Sequence, residues 1–248
     1  MKLNNNCILI TGGTSGIGLA LAKRFADDKN RVIVCGRNKD KLAAVKENYP
    51  DIDTVCCDVS SENERIKLYE TISKDHPDLN VLINNAGIQQ RIDFKSFDWE
   101  TCKKEFATDF GAPIHLSGLF IPLLNGKDNA AIINVTSGLA FRPPIWAPIY
   151  GASKSGIHAF TFILRQQLLG TGIDVVEIIP PAVNTDLGGS GLHSYGVDLD
   201  KFADSVYSDL GKGLPEIGFG YTVGTEKYTR EEMEISAVEM AKMMASQQ

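Results

Sequence analysis

No apolar run in this chain approaches the ~20 residues that a membrane-crossing helix needs, so no spanning segment is expected. The opening MKLNNNCILI passes from polar residues straight into a short apolar run. A secretory leader would need a longer apolar stretch and a small-residue cleavage site. The closing SQQ is not a peroxisomal address, and a cytoplasmic location is expected. Basic charge is scarce: 25 Lys and Arg against 31 Asp and Glu leave a net charge of −6. Nucleic acids and anionic membranes reward clustered Lys and Arg, so neither is an expected partner. The five cysteines, Cys7, Cys35, Cys56, Cys57 and Cys102, form no C-x-x-C pair. Four of them lie in or beside apolar strand-like runs, where cysteine acts as a small hydrophobe. The four histidines lack metal-ligand spacing, and no metal is expected. Repeats, low-complexity tracts and Pro/Gly-rich linkers are also missing, so residues 1–248 are read as one domain.

What is present is an alternation. Hydrophobic residues make up 43% and charged residues 23%, which suits a globular chain. Short apolar runs (CILI, RVIVC, TVCC, VLIN, AAIINV, IDVVEII and EIGFG) alternate with helical patterns at 16–29, 39–49, 61–76, 98–124 and 151–170. Near-continuous apolar strands between amphipathic helices predict a doubly wound α/β fold, a parallel sheet of about seven strands with helices on both faces. The alternation breaks after residue 184. Residues 186–214 are glycine-rich and then weakly helical, which reads as a lid beside a binding face or as a plain surface excursion.

The run ILITGGTSGIGLALA places Gly12, Gly16 and Gly18 between the first strand and the first helix. That context turns a glycine triplet into a dinucleotide-binding fingerprint. Glycine admits a pyrophosphate close to the backbone, and the helix N-terminus meets it with N–H groups. NAD-binding folds place an acid at the end of the second strand to hold the ribose hydroxyls. Here Gly36 occupies that place and Arg37 follows. A guanidinium there suits a 2′-phosphate, so NADP(H) is expected, with NAD(H) less favoured. The alternative is that Arg37 is a solvated charge at a helix start. Ser15 stands where a second basic residue would strengthen the preference.

In PIYGASKSGIHAF, Tyr150 and Lys154 are four residues apart, so a helix stacks them on one face. Such a pair either packs or exists to tune the phenol.

The ordered set TGGTSGIG (11–18), DV (58–59), NNAG (84–87), NVTSG (134–138), YGASK (150–154) and PPAVNTD (180–186) resembles the short-chain dehydrogenase/reductase family. The stretch EIGFGYTVGTEKYTREE further resembles bacterial oxidoreductases named after the D-alanyl-lipoteichoic acid operon. The resemblance implies a Rossmann-type single domain and these roles. Gly12, Thr14, Ser15, Gly16, Ile17 and Gly18 form the cofactor loop. Asp58 meets the adenine amino group beside the Val59 backbone. Asn85, Ala86 and Gly87 run along the cofactor. Val183 and Thr185 contact the nicotinamide carboxamide, with Pro180 on the same side. Ser137 hydrogen-bonds the substrate oxygen, Tyr150 donates or accepts the proton, and Lys154 holds the ribose hydroxyls. Family members commonly pair two long helices across a dimer, so a homodimer or homotetramer is expected.

The chemistry explains the pair. Hydride addition to a ketone builds negative charge on oxygen, and an acid must quench it. A free tyrosine, with a pKa of about 10, is a weak acid for this. A nearby ammonium is expected to lower it, while Ser137 donates to the developing oxyanion. One position departs from the family: its usual helix asparagine is Asp109 here. The Asp109 carboxylate would hold the family's relay water equally well, favour a charged Lys154 and partly cancel that lysine's effect on Tyr150. Pro113, four residues on, has no N–H for the Asp109 carbonyl, which is thereby released to hold the water whatever the side chain is.

The substrate side is expected from Gln89, Phe141, Arg142, Trp146, Leu187 and Tyr195. The lid also carries Leu192, Phe202 and Tyr207, and its apolar character suggests a small or medium neutral carbonyl or alcohol compound. Arg142 is the exception: it anchors a carboxylate or faces water. The last helix spaces Met233, Ala237, Met240 and Met244 as a docking stripe. A sugar-nucleotide epimerase or dehydratase of the same superfamily is the nearest enzymatic alternative, although 248 residues leave little room for the larger substrate domain those carry. A non-catalytic dinucleotide sensor is the other, although such proteins typically lose the tyrosine or lysine that this chain keeps.

Overall fold

The computed structural model describes residues 1–245. Seven parallel strands form one sheet: β1 (Cys7–Thr11), β2 (Arg31–Gly36), β3 (Ile52–Cys56), β4 (Val81–Asn84), β5 (Ala131–Val135), β6 (Asp174–Ile179) and β7 (Glu216–Gly218). Their order is β3-β2-β1-β4-β5-β6-β7. Helices α1 (Gly16–Asp27), α2 (Lys39–Asn48), α3 (Glu62–Asp75), α4 (Trp99–Phe106), α5 (Ala112–Leu124), α6 (Pro148–Gln167), α7 (Leu199–Gly211) and α8 (Arg230–Ala245) complete the chain. Every predicted strand is present. None of the described helices is long and apolar enough to cross a membrane.

Strand alternation divides the core in two. Ile8, Ile10, Val32 and Val34 face α1, α2 and α7 through Phe25, Leu42, Phe202 and Val206. Cys7, Leu9, Ile33 and Leu82 face the other way, toward Leu68, Ile72, Leu116, Phe120 and Leu164 of α3, α5 and α6. Chain order reverses between β1 and β4, and the crevice outside the carboxyl ends of strands at such a switch is where this architecture binds ligands.

The opposite edge of the sheet is closed by asparagines. Asn6, Asn30 and Asn80 each precede a strand directly, and Asn129 precedes β5 by two residues. The Asn6 side chain donates to Asn30 Oδ1 (3.0 Å) and accepts from Asn80 Nδ2 (3.0 Å) and Asn129 Nδ2. The Cys7 N–H donates to Asn80 Oδ1 (2.9 Å). Backbone and side-chain amides that the strand ends would leave unpaired satisfy one another here.

Two expected elements differ. The helix over 98–124 is interrupted by a π turn at Ala107–Gly111, where the Ala112 N–H reaches back to the Ala107 carbonyl. Pro113 supplies no N–H to the Asp109 carbonyl, and the helix widens at that point. The segment 186–214, expected as a lid, is helical in its second half. Residues 199–211 form a sheet-flanking helix, α7, with Phe202 in the core and Tyr207 edge-on to Phe25 at 5.0 Å. Phe202, Val206 and Leu210, apolar residues at helical spacing, turn inward, and Leu199 at the helix start still lines the crevice. On α8, Met233 and Ala237 are partly covered; the side chains of Met240 and Met244 lie outside the described residues.

Candidate active site

A cleft of about 1730 Å³ opens at the carboxyl ends of β1, β2, β4, β5 and β6. Its floor is the turn from β1 to α1. Gly12 has φ +64°, and a Cβ there would lie 2.8 Å from the Ala86 Cα, so only glycine sits comfortably. Gly18 does not line the cleft. A Cβ on it would come within 2.4 Å of the Asn85 amide and 2.6 Å of the Gly12 carbonyl oxygen, so its work is to let α1 pack close. The Ser15 hydroxyl makes no cap bond to α1, and the first turn holds no acid. The helix therefore presents its free N–H groups to the cleft, as an anion site requires.

Thr11 joins β1 to β4: its Oγ1 accepts the Asn85 and Ala86 N–H groups, each at 3.0 Å. The Asn85 side chain is spent on the Thr11 carbonyl at 2.9 Å. At the end of β2, Arg37 is exposed and makes no ion pair or hydrogen bond among the described residues. Burial works against ionisation of Asp58. Its bonds from the Ser60 hydroxyl (2.8 Å) and N–H (3.0 Å), with Arg37 and Lys104 nearby, still hold the carboxyl below the usual range.

Ser137 stands just past β5, its Oγ accepting the Leu139 N–H at 3.1 Å. Tyr150 and Lys154 project from α6, both buried. The helix starts at Pro148, earlier than the expected 151, because proline suits a first turn. Lys154 Nζ lies 5.5 Å from the centre of the Tyr150 ring and donates to the Val135 carbonyl at 3.0 Å. The expected lowering of the phenol's pKa is corrected here. Burial pushes Tyr150 up, and the charges of Asp109 and Glu105 add to it; the neighbouring Ser137 hydroxyl offsets only part. Lys154 itself is lowered by burial, against the pull of Asp109.

Asp109 does not line the cleft. It stands behind Gly87, where a Cβ would meet both Asp109 Oδ1 and Lys154 Nζ at 3.6 Å. Its Oδ1 accepts the Ile88 N–H at 2.9 Å, while its buried Oδ2 has no partner among the described residues. Burial pushes the carboxyl up to about 6, opposed by Lys154 and the Ile88 N–H. One turn back, Glu105 accepts the Gln90 N–H at 3.1 Å and is pushed up to about 7 by burial. Asp109→Asn keeps an oxygen for Ile88 and removes a charge that opposes Tyr150 ionisation. The variant should hold kcat/KM within about tenfold, roughly 1.4 kcal/mol in the barrier, and its alkaline limb should move to lower pH. A loss of several orders of magnitude with cofactor binding intact would show that the carboxylate itself moves the proton.

Of the expected pocket residues, Gln89, Arg142, Trp146, Leu187 and Tyr195 line the cleft. Phe141 does not: the 3-10 turn at Gly138–Ala140 turns it inward, edge-on to His158 at 4.6 Å and packed with Ala140 and Ile179. The remaining expected cofactor residues, Thr14, Gly16, Ile17, Val59, Ala86, Gly87, Pro180, Val183 and Thr185, all line it with Ser137, Tyr150 and Lys154. Gln90 and His193, from the segments 87–94 and 186–214 expected as walls, line the cleft as well, and so do Lys104 and Tyr221, which sequence reading missed. His193 Nε2 hydrogen-bonds Gln89 Oε1 at 3.2 Å, so the loop after β6 rests on the loop after β4. Nothing in the spacing of Lys104 or Tyr221 marks either for the cleft.

The doubly wound parallel sheet with a glycine turn at its switch point defines a dinucleotide-binding α/β fold. The short chain dehydrogenase family model matches residues 6–194. The chain belongs to that family of oxidoreductases. It is 44% identical over 237 residues to the uncharacterized oxidoreductase DltE of Bacillus subtilis strain 168, covering 93% of this chain and 94% of the relative. The fold is shared with a short-chain dehydrogenase from Sphingobium yanoikuyae in complex with NADPH (TM-score 0.79, 22% identity, 98% of this chain and 95% of that one). A short-chain dehydrogenase/reductase from Burkholderia phymatum in complex with NAD matches with a TM-score of 0.84 at 18% identity over 95% of this chain and 96% of that one.

Proposed function

We infer that this enzyme transfers a hydride between NADP(H) and a small or medium carbonyl or alcohol substrate, using Ser137, Tyr150 and Lys154. The observation that carries this reading is the placing of the Ser137 hydroxyl and the Tyr150 phenol on one wall of the cleft, with the Lys154 ammonium buried beside them. The uncapped N-terminus of α1 fits a pyrophosphate, the unpaired Arg37 fits a 2′-phosphate, and Asp58 fits an adenine amino group. Asn85 to Gly87, Pro180, Val183 and Thr185 would flank the nicotinamide half. When bound, the nicotinamide supplies or accepts the hydride.

The protein's part is the proton. With its pKa raised, Tyr150 is protonated near neutral pH, the form that can donate to a carbonyl oxygen as it gains charge. Ser137 gives a second hydrogen bond to the same oxygen. Lys154 lies close enough to stabilise the phenolate left behind, and Asp109 favours its charged form against the effect of burial. The loop at 186–198 serves as the lid, held on Gln89 by His193. A cytoplasmic location belongs to the same reading, as does a homodimer or homotetramer, supported by the exposed Phe106, Phe162 and Ile163 on α4 and α6.

The test is consumption of NADPH against a panel of ketones and aldehydes. Turnover of at least one compound is expected. Tight NADPH binding with no turnover of any would overturn the reading in favour of a sensor.

A further inference from the structure

Arg142 has no carboxylate partner among the described residues. Arg24 pairs with two carboxylates and Arg31, Arg165 and Arg230 with one each, whereas Arg37, Arg65 and Arg91 share Arg142's lack of one among the described residues. Arg142 is half-buried in the cleft wall, five residues after Ser137. Its backbone N–H donates to the Gly138 carbonyl at 3.2 Å, which fixes the chain to the turn that also carries Ser137. Its Nε donates to Ser236 Oγ on α8. Its guanidinium carbon lies 5.6 Å from the centre of the Tyr221 ring. Tyr221 is itself fixed, its Oη accepting the Ala182 N–H at 3.2 Å. The two Nη nitrogens donate to nothing among the described residues.

A guanidinium held on one edge and one face, with its fork left over, is preorganised for a planar anion. A half-buried charge without a counterion also costs stability, which a bound anion recovers. The cleft's own acids do not serve. Asp58 is engaged by Ser60 near Arg37 and Lys104, and Asp186 is exposed on the loop after β6.

We propose that Arg142 binds a carboxylate of the substrate, so that the compounds reduced at Ser137 and Tyr150 are oxo acids. This rests on the reading of the cleft as a carbonyl-reducing site. It replaces the neutral substrate expected from the lid, because Phe202 and Tyr207 are absent from the cleft and Arg142 is present in it. Tyr221 and Ser236 lie beyond residue 194, where the match to the family model ends.

The experiment compares oxo acids of increasing chain length with their methyl esters, in wild type and Arg142→Gln. Wild type should favour the acid of the best length over its ester by about 10- to 100-fold in kcat/KM, the worth of a charge-assisted pair. The preference should lie mainly in KM, and in Arg142→Gln the acid-to-ester ratio should fall to near unity. Arg142→Lys should keep part of it, since charge remains while the fork is lost. A merely structural arginine would change both substrates alike and leave the ratio standing, which would overturn the proposal, as would a wild type that prefers esters. A second measurement needs no turnover: calorimetry of glutarate on the NADPH-loaded protein. Binding that is lost in Arg142→Gln, or weakened in Arg142→Lys where the first variant does not fold, supports the anchor. No glutarate binding together with no acid preference rejects it. Absence of turnover on every acid and ester, with Arg142-dependent glutarate binding, would reject the carbonyl-reducing reading and leave the anion site in place.

Discussion

Tyr150→Phe should abolish reduction while leaving NADPH binding nearly intact. The ring fills the same space, and Lys154 keeps its bond to the Val135 carbonyl. Only the hydroxyl is lost, and with it the proton. Positioned acid–base catalysis contributes on the order of 10²–10⁴ in rate, so the variant's kcat should fall by that factor. The measurement is single-turnover reduction with saturating NADPH, alongside cofactor titration. Turnover at the wild-type rate would remove Tyr150 from the mechanism. The raised pKa of the phenol sharpens the expectation in wild type. The donor form persists through neutral pH, so reduction should hold its rate there. Oxidation of an alcohol, which needs the phenolate as base, should rise with pH.

Arg37→Ala should weaken NADPH binding and leave NADH almost unchanged, since only NADPH carries the 2′-phosphate. A charge-assisted hydrogen bond contributes about 1.5–3 kcal/mol, roughly 10- to 100-fold in affinity. Because Arg37 makes no hydrogen bond or ion pair among the described residues, its removal breaks no such bond there, and the loss reads recognition rather than folding. Gly36 helps by absence: a Cβ there would stand 3.0 Å from Thr14 Cγ2, crowding the edge of the loop. Equal losses for both cofactors in a fluorescence titration would show that Arg37 is structural.

The sheet was legible because its strands are buried on both faces and read as continuous apolar runs. The glycine turn was legible because strand, turn and helix follow in order. Positions set by tertiary neighbours were not. Lys154 is visible four residues after Tyr150, and the sequence suggests a lowered phenol pKa. Asp109, from the π turn, was expected to cancel part of that effect; Glu105 acts on the same phenol from α4, and no spacing rule connects it to Tyr150. Pro113 was read as releasing a carbonyl, and the π turn that goes with the missing N–H was not read from it. Phe141 looked like a pocket wall from its place after Ser137; a single tight turn reversed it. Phe202 and Tyr207 sat in a segment read as a lid, although their helical spacing fitted a core-facing helix equally well.

The asparagine cluster at the far edge of the sheet has a kinetic consequence. Its bonds from Asn6 span 24, 74 and 123 residues. Contacts of that range repay their loop-closure entropy only after the strands lie side by side. The cluster therefore completes late, and its strength resists unfolding more than it hastens folding. Asn6→Ala should raise the unfolding rate and leave the folding rate nearly unmoved; a slower folding limb in stopped-flow would place the cluster in the nucleus instead. A molecule locked in this way at the amino ends of its strands can let the loops at their carboxyl ends open and close many times before the sheet itself comes apart.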